Sequence, residues 1–273
     1  MTGDKRGAGR VALIGLPFDA NSSHLRGPAE APWAIRAALR SDSTNLWTES
    51  GVDLGAPGVI TDAGDVAVSN QTGHADFAAM EAAVARCLER GLRPLVLGGD
   101  HSVTLPVVRA VAGKHGPLNI LHFDAHPDLY DEFQGNRFSH ACPFARISEE
   151  KLATRLVQVG IRTMNGQQLA QARLWGVELV EMRRLHNAPR LRFDGPVHIS
   201  FDLDALDPAF APGVSHHEPG GMSTREALAL IQSLDAPVVS ADIVEFNPSR
   251  DPLGITAMAA AKILKELAAR MLR

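Results

Sequence analysis

Aspartate and histidine side chains cluster where several apolar runs of this 273-residue chain end. The clusters are Gly98-Gly99-Asp100-His101-Ser102, Asp124-Ala125-His126-Pro127-Asp128 and Asp202-Leu203-Asp204, and a further apolar run ends near Glu245. Residues two apart on a strand point to the same face, so Asp124 accompanies His126 and Asp202 accompanies Asp204. Several carboxylates gathered in a site with low-dielectric walls repel one another unless cations are bound. These residue types therefore predict a metal site.

The composition of this set indicates which cations would bind. The candidate ligands are oxygen-rich and contain no thiolate: His101, Asp124, His126, Asp128, Asp202 and Asp204. One divalent ion could be held by three or four of them, but the whole set suits two ions better. It favours Mn²⁺, with Co²⁺, Ni²⁺, Zn²⁺ or Mg²⁺ as alternatives, and it argues against a structural zinc site.

The segments that must position these residues alternate between short apolar runs and longer amphipathic stretches. The runs are rich in Val, Ile and Leu without polar alternation, which is typical of strands covered on both faces. Strands are predicted over residues 11–16, 59–65, 94–97, 119–123, 156–161, 177–180, 197–201 and 238–244. Helices are predicted over 75–90, 223–233 and 256–272, and Ser223 with Glu226 forms a capping-box signature for the second.

Alternation of strands and helices predicts an α/β fold with a mostly parallel sheet and helices on both faces. Ligands of such sheets bind outside the carboxyl ends of the strands, which is where the polar clusters fall. No internal repeat, low-complexity tract or long linker divides the sequence. We therefore expect one domain spanning residues 1–273.

Composition and charge exclude several classes of protein. The chain is 45% hydrophobic and 21% charged, which excludes collagen, coiled coil and wholesale disorder. A net charge of −4 without a Lys/Arg block gives no reason to expect nucleic-acid or membrane binding. No apolar segment is long enough for a membrane span, and residues 1–10 lack the apolar core of a signal peptide, so a cytoplasmic location is expected. Cys87 and Cys142 are expected to be reduced thiols, and the sequence assigns no role to Cys142.

Taken in order, these motifs resemble the ureohydrolase family, which comprises arginase, agmatinase and related guanidino-group hydrolases. The resemblance covers nearly the whole chain and is closest to the agmatinase-like arginases of plants and bacteria. It rests on Gly15-Leu-Pro-Phe, Asn21-Ser-Ser, Arg26-Gly-Pro-Ala, Gly98-Gly-Asp-His-Ser, Phe123-Asp-Ala-His-Pro-Asp, Ser139-His140, Ser200-Phe-Asp-Leu-Asp-Ala-Leu-Asp-Pro and Asp242-Ile-Val-Glu-Phe-Asn-Pro. The family implies a three-layer α/β/α fold, two Mn²⁺ per subunit and a homo-oligomer, either a trimer or a hexamer.

The resemblance also implies a role for each polar residue. One ion would be held by His101, Asp124, Asp128 and Asp202, and the other by His126, Asp124, Asp202 and Asp204. Asp124 and Asp202 would then bridge the two ions. His140 falls at the position of a catalytic histidine, and Glu245 at that of the carboxylate that receives the guanidinium.

The implied chemistry agrees with these roles. A guanidinium carbon is a poor electrophile, and a pair of divalent ions makes hydroxide available near neutral pH. Glu245 would hold the planar cation through paired hydrogen bonds, and His140, titrating near pH 7, would supply the proton that the leaving amine needs. We expect cleavage of arginine to ornithine and urea, with agmatine or a guanidino acid such as guanidinobutyrate as alternative substrates. Asn136, Arg137 and His216 are candidate contacts for the far end of the substrate.

Other classes of protein remain as alternatives. Another binuclear metallohydrolase, such as a phosphatase, would usually carry further His or Asn ligands and a basic clamp for phosphate. Zinc deacetylases of related architecture bind a single ion and would not need His101. A pseudoenzyme would show a broken ligand set, whereas all six positions are intact. His122, inside a strand, is expected to be a satisfied core residue or to lie behind the ligands.

Overall fold

The computed structural model of the chain describes residues 11–187 and 191–273, so the prediction about residues 1–10 lies outside the described residues. Strands and helices alternate along these residues. In chain order they are β1 (Val11–Gly15), α1 (Ala31–Leu39), β2 (Ile60–Asp65), α2 (Phe77–Glu89), β3 (Arg93–Leu97), α3 (Thr104–His115), β4 (Leu118–Phe123), α4 (Pro143–Glu149), β5 (Ala153–Ile161), α5 (Gly166–Trp175), β6 (Glu178–Glu181), β7 (Val197–Asp202), α6 (Thr224–Ser233), β8 (Val238–Val244) and α7 (Ile255–Met271).

All eight of these strands form one sheet in the order β2-β1-β3-β8-β7-β4-β5-β6. Every neighbouring pair is parallel, as the absence of polar alternation in the runs predicted. The strands β3, β4, β7 and β8, which precede the four polar clusters, lie together at the centre of the sheet. Their carboxyl ends therefore open on one short stretch of its edge.

Helices cover the two faces of the sheet, which confirms the three-layer α/β/α architecture. Successive residues of β1 show the division, because Val11 and Leu13 pack in one apolar cluster while Ala12 and Ile14 pack in another. The first cluster includes side chains of α1, α6 and α7, and the second includes side chains of α2, α3, α4 and α5. Each face of the central strands is thus buried, which fixes the direction in which their last residues point.

Strand β2 departs from the expected burial on both faces. It lies at the end of the sheet, and its residues from Asp62 to Asp65 are exposed. An edge strand has a hydrogen-bonded neighbour on one side only and needs no continuous apolar cover. Instead, Asp62 accepts hydrogen bonds from the guanidinium groups of Arg36 and Arg40.

The helix signals in the sequence correspond to real helix ends. The Ser223 hydroxyl accepts the N–H of Glu226, and the Glu226 carboxylate accepts the N–H of Ser223, so the predicted capping box of α6 is formed. Cys87 on α2 and Cys142 before α4 are both buried and free.

No helix within the described residues has the length and apolar character needed to cross a bilayer.

Candidate metal centre and active-site cavity

The structure brings the six predicted ligands together at the carboxyl ends of three central strands, β3, β7 and β4, with β8 between β3 and β7. His101 lies in a short 3-10 turn that follows β3 and that begins with Asp100 accepting the N–H of Ser102. Asp124, His126 and Asp128 follow β4, and Asp202 and Asp204 lie at the end of β7. These strands are parallel and central, so their carboxyl ends lie close together at one edge of the sheet. The loops that follow them therefore meet there.

Three carboxylates surround one nitrogen of His101. Its Nδ1 lies 3.2 Å from Asp124 Oδ2, 3.1 Å from Asp128 Oδ2 and 3.1 Å from Asp202 Oδ2. Despite this crowding, Nδ1 is buried and forms no hydrogen bond of normal geometry with any residue of 11–187 or 191–273. One imidazole nitrogen and three carboxylate oxygens therefore face a common point.

The hydrogen bonds behind His101 place a proton on Nε2, so that the neutral imidazole has its lone pair on Nδ1. Ser200 Oγ donates to Asp242 Oδ1 at 2.7 Å, so it accepts from His101 Nε2, which is 3.0 Å away. A neutral imidazole protonated on Nε2 has an acceptor at Nδ1. Four acceptor atoms facing one another are unfavourable without a cation between them, and these atom types are ligands that divalent metals use. The residues thus fit a metal ion.

A second group of ligands lies beside the first. His126 Nδ1 is 3.0 Å from Asp204 Oδ2 and 3.4 Å from Asp124 Oδ1. Asp124 therefore presents one carboxylate oxygen to each group, the arrangement expected of a bridging ligand. Asp202 joins the His101 group through Oδ2, while its Oδ1 accepts the N–H of Asp204 at 2.8 Å.

The pKa values of these groups express the crowding of like charge. Burial and the neighbouring Asp204 and Asp124 carboxylates raise the pKa of Asp202 well above its usual value. Burial and Asp124 likewise raise the pKa of Asp204 to about 6. Burial alone would lower the pKa of His101, but Asp124, Asp128 and Asp202 raise it well above normal. The centre therefore attracts positive charge strongly.

Glu245 and His140 form an ion pair beside this centre. Glu245 Oε1 accepts a hydrogen bond from His140 Nδ1 at 2.9 Å and another from the backbone N–H of His101 at 2.7 Å. His140 Nε2 is 2.7 Å from Ser23 Oγ. Burial lowers the pKa of His140, but the Glu245 carboxylate overrides it and raises the pKa to about 9. His140 is therefore protonated at neutral pH, whereas the sequence suggested titration near pH 7.

These side chains line one cavity of about 310 Å³ at the edge of the sheet. Of the predicted residues, the walls include His126, Asp128, His140, Asp202, Asp204, His216 and Glu245. His101 and Asp124 are fully buried behind this surface. The ring of His216 lies 5.3 Å from that of His140 and 5.9 Å from that of His126, measured between centroids.

Two predicted substrate contacts are not brought to the cavity. The guanidinium of Arg137 is held on the exterior by the carboxylates of Asp131 and Glu149, at 2.9 and 2.8 Å. The amide of Asn136 donates to Asn21 Oδ1 at 3.0 Å and its carbonyl oxygen accepts the N–H of Phe138. In this structure both side chains therefore support the loop, and neither is among the residues that line the cavity.

Other residues of the cavity wall were not identified from the sequence. The wall includes Ser23, Tyr130, Phe133, Ala141, Thr163, Met164, Asn165 and Gln168. Asn165 caps α5 by accepting the N–H of Gln168, and its amide donates to the Tyr130 hydroxyl at 2.8 Å. Asn165 before a helix was a recognisable cap signal, but nothing in its spacing links it to the loop after β4.

The fold and the site together define a parallel α/β protein with a metal-binding centre at the carboxyl edge of its sheet. A sequence model of the family described as "Arginase family" matches residues 9–269. The chain therefore belongs to the arginase family, as the resemblance to ureohydrolases predicted, and this is a family of metal-dependent hydrolases.

Individual relatives agree with this assignment. The chain is 51% identical to "Arginase 1, mitochondrial" of Arabidopsis thaliana, over 96% of this chain and 81% of that protein. It is 36% identical to the proclavaminate amidinohydrolase of Streptomyces clavuligerus, over 94% of this chain and 86% of that protein. The solved structure of arginase from Medicago truncatula superposes with a TM-score of 0.91 at 46% identity, covering 97% of this chain and 88% of the other.

The relatives contradict one expectation from the sequence. The Arabidopsis relative, like others from rice and Medicago truncatula, is named as a mitochondrial protein. The cytoplasmic location predicted above is therefore wrong. It rested on the lack of an apolar segment, which distinguishes secretion or membrane insertion but does not distinguish one internal compartment from another.

Proposed function

We propose that this protein hydrolyses the guanidino group of arginine to give ornithine and urea. The observation that carries the proposal is the convergence of the six acidic and imidazole side chains beside Glu245, four of them in the wall of one cavity and two directly behind it, in an arginase-family chain. A carboxylate beside a cation-attracting centre suits a substrate that is itself a planar cation attacked by water. The similarity to plant arginases supports arginine as the substrate.

We propose that the centre holds two Mn²⁺ ions in each subunit. His101, Asp124, Asp128 and Asp202 would hold one, and His126, Asp124, Asp202 and Asp204 the other. The oxygen-rich donor set supports manganese over a softer metal. Such a pair of cations supplies, when bound, the ionisation of water near neutral pH.

In this proposal Glu245 orients the substrate, and His140 supplies the proton for the leaving nitrogen. The Glu245 carboxylate accepts hydrogen bonds from two nitrogens of the guanidinium, which orients its carbon toward the centre. The two hydrogen bonds to Glu245 Oε1, from His101 N and from His140, fix the carboxylate before substrate arrives. Protonated His140 then transfers a proton to the leaving nitrogen, and Ser23 contacts its second ring nitrogen at 2.7 Å.

Replacement of His140 by alanine tests its role in proton transfer. We expect kcat for arginine to fall by about 10²–10⁴-fold, because the leaving amine loses its general acid. Bound manganese, measured by elemental analysis after gel filtration, should remain at the wild-type level, since His140 is not one of the six ligands. Unchanged turnover of the His140→Ala enzyme would show that another group supplies the proton.

Substrate choice depends on the part of the cavity wall that the proposed ligands do not form. His216 and the hydrogen-bonded pair of Tyr130 and Asn165 offer polar groups there. Burial of unpaired polar groups is unfavourable, so a wall built for the α-amino acid end of arginine would discriminate against agmatine. Hydrolysis of another amidino compound, as the name of the Streptomyces relative indicates for that protein, is the second candidate function.

Urea release from the manganese-loaded protein distinguishes these substrates. We expect kcat/KM for arginine to exceed that for agmatine and for 4-guanidinobutyrate by at least about 10²-fold, since both lack part of the α-amino acid group. The three compounds share the guanidino group, so each serves as a control for the others. A higher kcat/KM for agmatine or for 4-guanidinobutyrate would replace arginine as the proposed substrate.

We also propose that the chain forms one catalytic domain and assembles as a trimer or hexamer. A single sheet built from strands between residues 11 and 244 supports one domain. Trp33, Leu253 and Ile255 are 69%, 81% and 46% exposed, and such apolar side chains support contact between subunits. Light scattering of the purified protein measures the number of subunits.

A further inference from the structure

His122 lies in the middle of the layer of residues that supports the ligands. Its side chain is fully buried in β4, two residues before Asp124 and on the same face of the strand. The ring packs on Phe144, with centroids 4.0 Å apart and planes at 31°, and its edge meets His101 at 4.9 Å. A buried imidazole between aromatic rings is fixed in orientation but still needs partners for both nitrogens.

Gln158 determines which nitrogen of His122 carries the proton. This glutamine is paired with His122 in the β4–β5 register, and its Nε2 lies 2.6 Å from Pro127 O and 3.1 Å from His122 Nδ1. A carbonyl oxygen only accepts, so the atom of Gln158 beside it must be the amide nitrogen rather than the oxygen. The second amide hydrogen then points to His122 Nδ1, which must act as an acceptor.

The opposite nitrogen of His122 is consequently a donor directed at a metal ligand. Nε2 lies 2.7 Å from Asp124 Oδ2, the same oxygen that faces His101 Nδ1 at 3.2 Å. We infer that His122, held in its Nε2-protonated form by Gln158, is a positioning residue that orients the bridging Asp124 carboxylate for metal binding. The inference rests on the metal centre proposed above.

This arrangement leaves one polar atom of Gln158 without a hydrogen-bond partner among the described residues. Gln158 Oε1 is buried and has no hydrogen-bond partner within the described parts of the chain. Burial of an unpaired carbonyl is unfavourable, and an apolar side chain would avoid it in the buried part of β5, Leu156–Ile161, which is otherwise apolar. Retention of glutamine here is expected if its two N–H groups are needed to fix Pro127 and His122, and is not expected of packing alone.

Two amide side chains at position 122 separate a hydrogen-bonding role from packing. The amide nitrogen of His122→Gln reaches the position of the imidazole Nε2 and can donate to Asp124, whereas that of His122→Asn reaches only the position of Nδ1. We expect Mn²⁺ affinity of the metal-free full chain, measured by electron paramagnetic resonance titration, to fall by about 10–100-fold for H122N. H122Q should keep most of the wild-type affinity, and thermal unfolding of each metal-free variant reports on its fold.

Equal Mn²⁺ affinity of folded H122N and wild type would overturn the inference, as would equal losses in folded H122N and H122Q. Wild-type protein that binds no Mn²⁺ in this titration would instead overturn the proposed metal centre itself. A second measurement needs no variant, namely the ¹⁵N chemical shifts of histidine-labelled, metal-free wild type. Nδ1 of His122 should show the shift of an unprotonated ring nitrogen, and a protonated Nδ1 would also overturn the inference.

Discussion

Replacement of Asp128 by asparagine is expected to lower kcat/KM for arginine by about 10³-fold. The substitution removes one negatively charged ligand, and loss of the metal ion that it holds removes several kcal/mol of transition-state stabilisation. Asp128 Oδ2 lies 3.1 Å from His101 Nδ1, and the substitution removes its charge with almost no change in shape. The backbone of Asp128 has a left-handed φ of 50°, which asparagine adopts as readily as aspartate. The fold should therefore survive, and bound manganese and urea release should fall together.

Asp235→Asn is the matched control for this experiment. It makes the same chemical change at an exposed position near the end of α6, away from the carboxyl edge of the sheet. Manganese content per subunit and the rate of urea release should both match the wild type in this control. An Asp128→Asn enzyme that kept its full manganese content and activity would remove Asp128 from the ligand set.

The sequence was sufficient to predict that the six proposed ligands converge, because regular geometry connects them. Apolar runs without alternation indicated buried parallel strands, and every parallel strand ends at the same edge. The i,i+2 spacing predicted that Asp124 and His126 lie together, and their side chains are 3.4 Å apart, although both residues follow the end of β4. This reasoning did not give the order of the strands in the sheet. The six side chains converge because β3, β7 and β4 lie close together at its centre.

Residues on loops could not be placed in the same way. Arg137 was a candidate contact for the far end of the substrate, yet it pairs with Asp131 and with Glu149 on α4. Neither the path of a loop nor its ion pairs follow from periodicity. Gln158 did carry a readable signal, since a polar residue within the apolar, buried part of β5 requires an internal partner.

Backbone conformation marks the same site independently of side-chain chemistry. Within the described residues, a positive φ occurs at only a few positions other than glycine: Asn70, Asp128, Gln134, Lys151 and Glu245. Two of these side chains line the proposed active site. Such conformations are unfavourable by about 1–3 kcal/mol outside glycine and persist where the surrounding structure enforces them. Glu245, directly after β8, and Asp128, in the loop after β4, thus take directions that an extended backbone would not allow.

Glu245→Gln is expected to separate substrate binding from metal binding. The glutamine oxygen can still accept from His101 N and His140 Nδ1, so the local structure and the six ligands should persist. The charge is lost, and an amide N–H group replaces an acceptor for the guanidinium. Two charge-assisted hydrogen bonds of about 1.5–3 kcal/mol each correspond to a loss of about 10²–10⁴-fold in kcat/KM for arginine.

Manganese content distinguishes this result from loss of the centre, and it should equal that of the wild type in Glu245→Gln. Glu132→Gln makes the same substitution at an exposed position on the loop after β4. It should leave the manganese content and kcat/KM for arginine unchanged. A small effect of Glu245→Gln on kcat/KM would mean that another acid receives the guanidinium. Glu245 itself would then serve mainly to hold His140 and the turn at His101, because its contacts to both do not require a substrate.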